Sequence, residues 1–229
     1  CVQANAPRRQ AVKTLALLLA CGASLYAFER RSPWRSWTAD YRTGINQRRV
    51  VTLNDGTRLT LNTNSAVNIA YDGVQRRIDL LAGEIFIATG KDAAQRPFFV
   101  GTPHGSLQAL GTRFTVRQHD GYASAGVLEG AVAVLAGDGS QRLLLRPGEG
   151  AHFDSDGYHR QALAPYGGAW LDGMLVARDM RLADFLAELS RYSDHPLDCA
   201  PAVAGLRVSG SYPLADVDAI VDAVSASLQ

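Results

Sequence analysis

The feature that most limits the possible folds of this chain is a long series of short alternating segments between residues 43 and 160. In residues 113–117, for instance, Phe114 and Val116 share one face and three polar side chains take the other. A period of two is typical of a strand with one buried face. No segment of helical periodicity interrupts the series. We therefore predict an all-β domain over residues 43–160.

Turn signals divide this region at regular intervals. Asp55-Gly56 lies between two apolar stretches and predicts a tight hairpin, because glycine accepts a positive φ without steric cost. Further along the chain, glycine recurs every nine residues, at Gly121, Gly130, Gly139, Gly148 and Gly157. This spacing predicts a meander or a solenoid-like stack of hairpins.

The pattern changes near residue 167 and predicts a small α+β module over residues 167–229. A strand from Leu171 to Val176 is followed by a helix over residues 183–193 that Pro196 ends, a second strand over 206–212, and a helix that starts near Asp216. We expect the module to be truncated and to lack a closing strand. An open edge for pairing with a partner strand is then expected at Leu206, Val208, Gly210 and Tyr212.

An apolar run at residues 11–28 predicts a single transmembrane helix. Its only charge is Lys13, and arginines flank it on both sides. Its 18 residues span about 27 Å, which is just enough for the hydrocarbon core of a bilayer if Lys13 reaches the headgroups. Residues 1–10 are then the end of a cytoplasmic segment, and residues 29–42 are a linker.

Other interpretations of the apolar run stay open. A secretory signal peptide, a lipoprotein signal that uses Cys21, and a buried core helix share parts of the pattern. Arg8-Arg9 directly before the run also resembles a twin-arginine export signal. The basic residues on the two sides are nearly balanced, so charge alone leaves the orientation open.

The charge balance excludes one large class of partner. The chain has 23 basic and 22 acidic side chains and a formal net charge of +1. Nucleic-acid binding draws on a surplus of positive charge that releases counterions from phosphates, and this chain has none. With 47% hydrophobic residues, the chain also has enough apolar content to fold.

The sequence contains no recognisable catalytic or metal-binding motif. It has no HExxH, CxxC, Walker or GxSxG pattern, and its five histidines and three cysteines have no ligand spacing. We therefore predict no enzyme activity, no metal and no cofactor. A secreted carbohydrate-active or hydrolytic domain would need paired carboxylates in a cleft, and the sequence does not identify such a pair.

An ordered series of short motifs from residue 49 to residue 192 resembles the FecR family. The residues that carry the resemblance are Asp55, Gly56, Asn62, Gly83, Glu84, Arg96, Pro97, Gly111, Thr112, Phe114, Glu129, Gly130 and Trp170, together with residues 77–86, 147–149 and 189–192. Most of these residues have a structural explanation. The glycines are expected to supply turn geometry, and Trp170 is expected to anchor the junction between the β domain and the last module.

The resemblance implies a regulator of an extracytoplasmic-function sigma factor in Gram-negative cell-surface signalling. Such a protein crosses the inner membrane once, with most of the chain in the periplasm. It receives a signal from a TonB-dependent outer-membrane transducer, which itself recognises ferric siderophores or similar chelates, and envelope proteases pass the signal inward. The sigma factor is held by a cytoplasmic domain, which would lie upstream of residues 1–10.

The resemblance also implies that the last module is similar to the short N-terminal domain of secretins and TonB-dependent receptors. We expect the residues that bind the transducer on the surface of this module. The alternative function is a membrane-anchored, envelope-binding β protein without a signalling role.

Overall fold

The computed structural model describes residues 38–136, 141–163 and 167–227. The predicted transmembrane helix at residues 11–28 lies outside these ranges, as do residues 1–10 and most of the predicted linker. None of the helices within the described ranges has the length and apolar character needed to cross a bilayer. The residues from Ala39 onward form one compact unit.

In the described residues, the first part of this unit contains 14 strands. They are β1 (Tyr41–Arg42), β2 (Arg49–Thr52), β3 (Arg58–Leu61), β4 (Ala66–Tyr71), β5 (Arg76–Ala82), β6 (Glu84–Ala88), β7 (Phe98–Thr102), β8 (Gly105–Ala109), β9 (Arg113–Gln118), β10 (Ala123–Glu129), β11 (Val132–Ala136), β12 (Gln141–Leu145), β13 (Glu149–Phe153) and β14 (Tyr158–Ala162). The prediction of a mainly β domain is confirmed.

The strands form two sheets of seven. The order in the first sheet is β1-β4-β5-β7-β8-β11-β12, and the order in the second is β14-β13-β10-β9-β6-β3-β2. Successive hairpins alternate between the sheets, so the chain crosses from one to the other after each hairpin. This differs from a meander, in which consecutive strands stay side by side in one sheet. Two sheets that each have one apolar face bury both faces by packing together.

The main core lies between the two sheets. Its largest fully buried side chains include Phe98, Phe114 and Phe153. Phe114 and Val116 are both fully buried, as the alternation in β9 predicts. Strand β6 differs from an ordinary half-buried strand, because four consecutive residues, Glu84 to Ile87, are buried. Both faces of β6 are therefore covered.

Two of the motif glycines have a steric role besides their backbone conformation. Gly56, Gly83, Gly111 and Gly130 all have φ between 73 and 79°. A Cβ at Gly83 would lie 2.2 Å from Ser65 Oγ, and a Cβ at Gly130 would lie 2.3 Å from the Gly111 carbonyl oxygen, whereas a Cβ at Gly56 would meet nothing. Close packing therefore adds to the conformational requirement at Gly83 and Gly130.

The last part of the chain is a small α+β module, as predicted. It contains a 3-10 helix (Ala169–Asp172), β15 (Met174–Arg181), α1 (Leu182–Leu189), a second 3-10 helix (Ser190–Tyr192), β16 (Arg207–Pro213) and α2 (Val217–Ser227). The first strand begins three residues later than predicted, because Gly173 ends a 3-10 turn with φ 72°. Strands β15 and β16 form a two-stranded antiparallel sheet.

The module packs on the outer face of the second sheet. Phe86 of β6 belongs to one buried cluster with Trp170, Phe185 and Leu189 of the module. Ala88 and Leu128, also from the second sheet, border this cluster. The apolar part of the junction thus explains why the outer face of β6 is buried.

Candidate functional site

A network of polar side chains connects the β domain to the module beside this apolar cluster. We call it the junction network. Its members are Asn62, Glu84 and Arg117 from the β domain and Glu188, Arg191 and Tyr192 from the module.

Glu84 is the centre of the junction network. Its Oε2 accepts a hydrogen bond from Asn62 Nδ2 at 2.9 Å and from Arg191 Nη2 at 2.6 Å. Asn62 Nδ2 also donates to the Tyr192 hydroxyl oxygen at 2.9 Å. The side chain of Glu84 is 9% exposed and that of Arg191 17% exposed, so this ion pair is shielded from water. Charge-assisted bonds of this kind are stronger than neutral ones.

A second acidic residue of the network, Glu188, joins two arginines. Its carboxylate pairs with Arg191 Nη1 within the module and with Arg117 Nη1 of β9 at 2.7 Å. Burial disfavours the charged form of Arg191, but the charges of Glu84 and Glu188 outweigh burial and raise the pKa of its guanidinium. Arg191 therefore stays charged and connects Glu188 of the module to Glu84 of the β domain.

Tyr192, next to Arg191 in the sequence, also holds the module against the β domain through its bond from Asn62. Burial raises the pKa of its hydroxyl to about 12, against the opposing effects of the Arg191 charge and the Asn62 hydrogen bond. The phenol consequently stays protonated at neutral pH. Thr63 Oγ1, next to Asn62, donates to the backbone carbonyl of Arg191 at 2.9 Å.

Arg48 makes a further link between the two parts. Its Nη1 donates to the carbonyl oxygens of Trp170 at 2.7 Å and of Leu171 at 2.6 Å. These carbonyls belong to the first 3-10 helix, where a cation is favourable near the C-terminal end. Trp170 is 6% exposed, and its indole Nε1 is buried without a hydrogen-bond partner in the described residues.

The predicted hairpin residue Asp55 belongs to another buried cluster. Its Oδ2 pairs with Arg76 Nη1 at 2.8 Å and accepts a bond from Thr57 Oγ1 at 2.7 Å. Burial favours protonation, but the bonds from Thr57 and Arg76 outweigh it and lower the pKa of Asp55. Arg76 also donates to the carbonyls of Gly90 and Arg96. Asp55 thus connects its hairpin to two other segments.

The next motif, Arg96-Pro97, stabilises a neighbouring loop. Arg96 pairs with Asp92 at 2.8 Å and donates to the Asp72 carbonyl at 2.7 Å. Hydrogen bonds from Arg96 lower the pKa of Asp92 to about 2. The Pro97 carbonyl accepts a bond from the Arg76 amide.

Asp55 and Asp92 both line a cavity of about 390 Å³. Each carboxylate is neutralised by an arginine and has a lowered pKa. Such groups are poorly suited to act as a general acid at neutral pH. The described residues contain no cluster of metal-ligating side chains.

The remaining motif residues of the β domain have separate positions. Phe114 is in the core, and Glu129 forms an exposed ion pair with Arg113 at 2.8 Å. The Thr112 carbonyl oxygen accepts a bond from the Thr89 amide, and the Thr112 amide donates to Thr89 Oγ1 at 2.8 Å. The Thr112 Oγ1 itself is buried without a partner in the described residues. None of these residues is part of the junction network.

The predicted partner-binding edge lies in the module. Val208, Gly210 and Tyr212 are in β16, and Leu206 directly precedes it. Val208 is buried, and the Tyr212 ring packs edge-on against Phe185 with centroids 5.1 Å apart. The side chains of Val208 and Tyr212 therefore face the interior of the module, whereas Leu206 is exposed.

Sequence reasoning identified Asn62 and Glu84 as family motif residues but did not identify their partners in the module. It missed Arg76 and Glu188, and it named Arg191 and Tyr192 only as part of the motif at residues 189–192. One signal was available for Arg76, because it shares a strand face with Ile78 and Leu80, where an apolar residue is expected. An arginine in such a position indicates a buried ion pair.

A group of aromatic side chains lies next to the junction network on the second sheet. The His119 ring stacks on Tyr122 with centroids 4.2 Å apart, and its Nε2 lies 3.0 Å from Ser124 Oγ. Burial, followed by the charge of Arg117 and the proximity of His152, lowers the pKa of His119 to about 4. His119 is therefore neutral in the folded protein at pH 5–7.

Lowering the pH from about 6.5 to 4 is expected to destabilise the protein through His119. The unfolded chain binds a proton near the ordinary histidine pKa of 6.5, whereas the folded chain binds it only near 4. Between these values the unfolded state gains more protons, so the free energy of unfolding falls with the pH. Urea denaturation at several pH values measures the slope.

The His119→Phe variant should show a smaller slope because it keeps an aromatic ring on Tyr122 without the titrating group. Tyr122→Phe is the matched control, since it leaves both imidazoles in place and should retain the wild-type slope. Equal slopes for His119→Phe and the wild type would contradict the assignment.

The fold and the site together define a two-part, mainly β protein, in which a small α+β module is docked on a two-sheet domain. Residues 39–133 match the family model described as FecR protein. This region of the chain is therefore similar to the FecR family.

Two solved structures share the fold. Both are crystal structures described as a "putative anti-sigma factor" from Parabacteroides distasonis ATCC 8503, at 2.50 and 1.65 Å resolution. Their TM-scores are 0.66 and 0.67, with 23% sequence identity, and the match covers 82% of this chain and 90% of each of theirs. No curated protein matches the chain.

Proposed function

We propose that this protein is a sigma factor regulator of the anti-sigma type. Two findings support the proposal: the similarity of residues 39–133 to the FecR family, and the shared fold with the Parabacteroides distasonis protein over most of both chains. The neutralised carboxylates of the one cavity described above favour a regulatory protein over a hydrolase.

In this proposal, residues 11–28 form a single helix through the bacterial inner membrane, with residues 1–10 on the cytoplasmic side. The linker at residues 29–42, the FecR-type domain at residues 43–160 and the module at residues 167–229 then lie in the periplasm. The apolar run with its basic flanks supports this arrangement. The module is then a relative of the short N-terminal domain of secretins and TonB-dependent receptors.

We further propose that the module binds the periplasmic signalling domain of a TonB-dependent transducer that takes up ferric siderophores or similar chelates. An upstream cytoplasmic domain would hold the extracytoplasmic-function sigma factor, and envelope proteases would relay the signal. The junction network is the observation that carries this mechanism. Because shielded ion pairs connect Arg191 and Glu188 to Glu84 and Arg117, a partner that moves the module also disturbs the β domain.

Titration of the full chain, purified in detergent, with an isolated transducer signalling domain tests the proposal. We expect binding with a Kd in the micromolar range or tighter, measured by calorimetry. The control is the same transducer's barrel without its signalling domain, which should not bind. Absence of binding at high micromolar concentrations would overturn the proposed function.

A further inference from the structure

The two-stranded sheet of the module has an edge that can accept another strand. Strand β16 pairs with β15 on one side, and no strand of the described residues lies on its other side. An unpaired strand edge presents backbone N–H and C=O groups that are a template for pairing with another chain.

The hydrogen bonds at the two ends of the sheet show which backbone groups face outward. The Leu214 amide donates to the Gly173 carbonyl, and the Leu182 amide donates to the Leu206 carbonyl, both at 2.8 Å. In an antiparallel pair, bonded and non-bonded positions alternate. With the observed register, Val208, Gly210 and Tyr212 direct their backbone groups toward β15.

The backbone groups of Arg207, Ser209, Ser211 and Pro213 therefore point toward the open edge. The Ser209 carbonyl already accepts a long hydrogen bond from the Tyr212 hydroxyl at 3.4 Å. The centre of this edge consists of three small residues, Ser209 to Ser211, and it contains no lysine. The bulge of the sheet lies on the other strand, between Ala177 and Met180, where Asp179 has φ 49°. The two-stranded sheet has two outer edges, and the edge formed by β16 is the more regular one because β16 contains no bulge.

Within the described residues, one end of this edge carries more positive than negative charge, because Arg181 and Arg207 lie there with one carboxylate, that of Asp179, as the ion-pair partner of Arg207. Arg181 and Arg207 lie directly opposite each other on the exposed face of the sheet. Arg207 Nη1 donates to the Asp179 carbonyl at 2.7 Å, but the Asp179 carboxylate is 3.7 Å away and 81% exposed. Like charges in opposite positions destabilise a sheet, so a carboxylate on an incoming strand would be favourable here.

A second copy of this chain fits the edge less well than a strand with acidic residues. If two β16 strands paired symmetrically through Ser209 and Ser211, each Arg207 would lie opposite Pro213, which has no N–H to donate. Strand β16 also contains no carboxylate to meet Arg207. Charge complementarity therefore favours a different protein.

We propose that β16 binds an extended segment of the transducer's signalling domain as a third strand, with hydrogen bonds to the backbones of Ser209 and Ser211 and an aspartate or glutamate beside Arg207. This inference rests on the proposed function and adds the mode of binding. Main-chain hydrogen bonds supply affinity, and the charge beside Arg207 sets which way the strand runs.

The Ser211→Pro variant of the full chain tests this mode of binding. Proline removes the outward N–H of residue 211 but leaves the bonds between β15 and β16 intact, so we expect a loss of affinity of about tenfold or more for the signalling domain. Ser211→Ala is the matched control, because it keeps the N–H and should bind like the wild type. Urea denaturation checks that both variants are folded.

Hydrogen exchange on the wild type gives a second measurement that does not depend on the proline variant. The amides of Ser209 and Ser211 should become protected when the signalling domain is added. An Arg207→Glu variant should also bind more weakly, and the loss should shrink at high salt.

The outcomes separate the two proposals. If the wild type does not bind the signalling domain, both fail. If the wild type binds but Ser211→Pro binds equally well and neither amide becomes protected, strand addition is wrong and the proposed function stands. Self-association of the wild type that Ser211→Pro abolishes, with binding of the signalling domain unchanged, would assign the edge to a second copy and overturn the inference.

Discussion

Replacing Glu84 by alanine is expected to lower the free energy of unfolding by about 3–5 kcal/mol. The substitution leaves Arg191 facing the gap that the carboxylate occupied, and it removes one of the two acceptors of Asn62 Nδ2. Removing one partner of a shielded ion pair costs more than the pair itself contributes, because the other charge stays buried. Urea denaturation followed by circular dichroism measures the loss.

Glu129→Ala is the matched control for this experiment. It also removes a glutamate from an ion pair with an arginine at 2.8 Å, but the Glu129 side chain is 62% exposed. Water replaces the lost contact, and we expect a cost of about 0–1 kcal/mol. Equal losses for the two variants would show that the junction network does not stabilise the docked module.

Replacing Trp170 by alanine is expected to cost about 3–5 kcal/mol and to loosen the module. Trp170 is 6% exposed and lies in the buried cluster that includes Phe86 of β6. The substitution leaves a large cavity at the junction. Calorimetry measures the change in stability, and hydrogen exchange should show faster opening in residues 169–192 than in the main core.

Trp170→Phe distinguishes packing from the polar contribution of the indole. The Trp170 Nε1 has no hydrogen-bond partner in the described residues, so phenylalanine removes a buried unpaired donor while keeping an aromatic ring. We expect this variant to lose less than about 1.5 kcal/mol. Unchanged thermal stability of Trp170→Ala would contradict the buried position of the ring.

The β domain and the α+β module were predictable because their signals are local. Alternation in β9 places Phe114 and Val116 on the buried face, and the helical spacing of Phe185 and Leu189 predicts α1. A hairpin at Asp55-Gly56 follows from turn chemistry alone. These features depend on neighbours within a few positions, which a single sequence displays.

The distribution of hairpins between two sheets and the junction network were not predictable in this way. Glu84 and Arg191 are 107 residues apart in the sequence, and Asn62 and Tyr192 are 130 apart. No local pattern connects residues at such distances. Asn62 and Glu84 were identified as motif residues, but their physical role became visible only when the module was placed on the second sheet.

Strand β6 has a consequence for any state in which the module is released. Its inner face contributes Ile85 and Ile87 to the main core, and its outer face presents Glu84 and Phe86 to the module. Departure of the module would expose an aromatic side chain and a carboxylate in the middle of a seven-stranded sheet. Exposing this apolar and charged surface to water would cost free energy. Release of the module is therefore favourable only when another protein surface covers the outer face of β6.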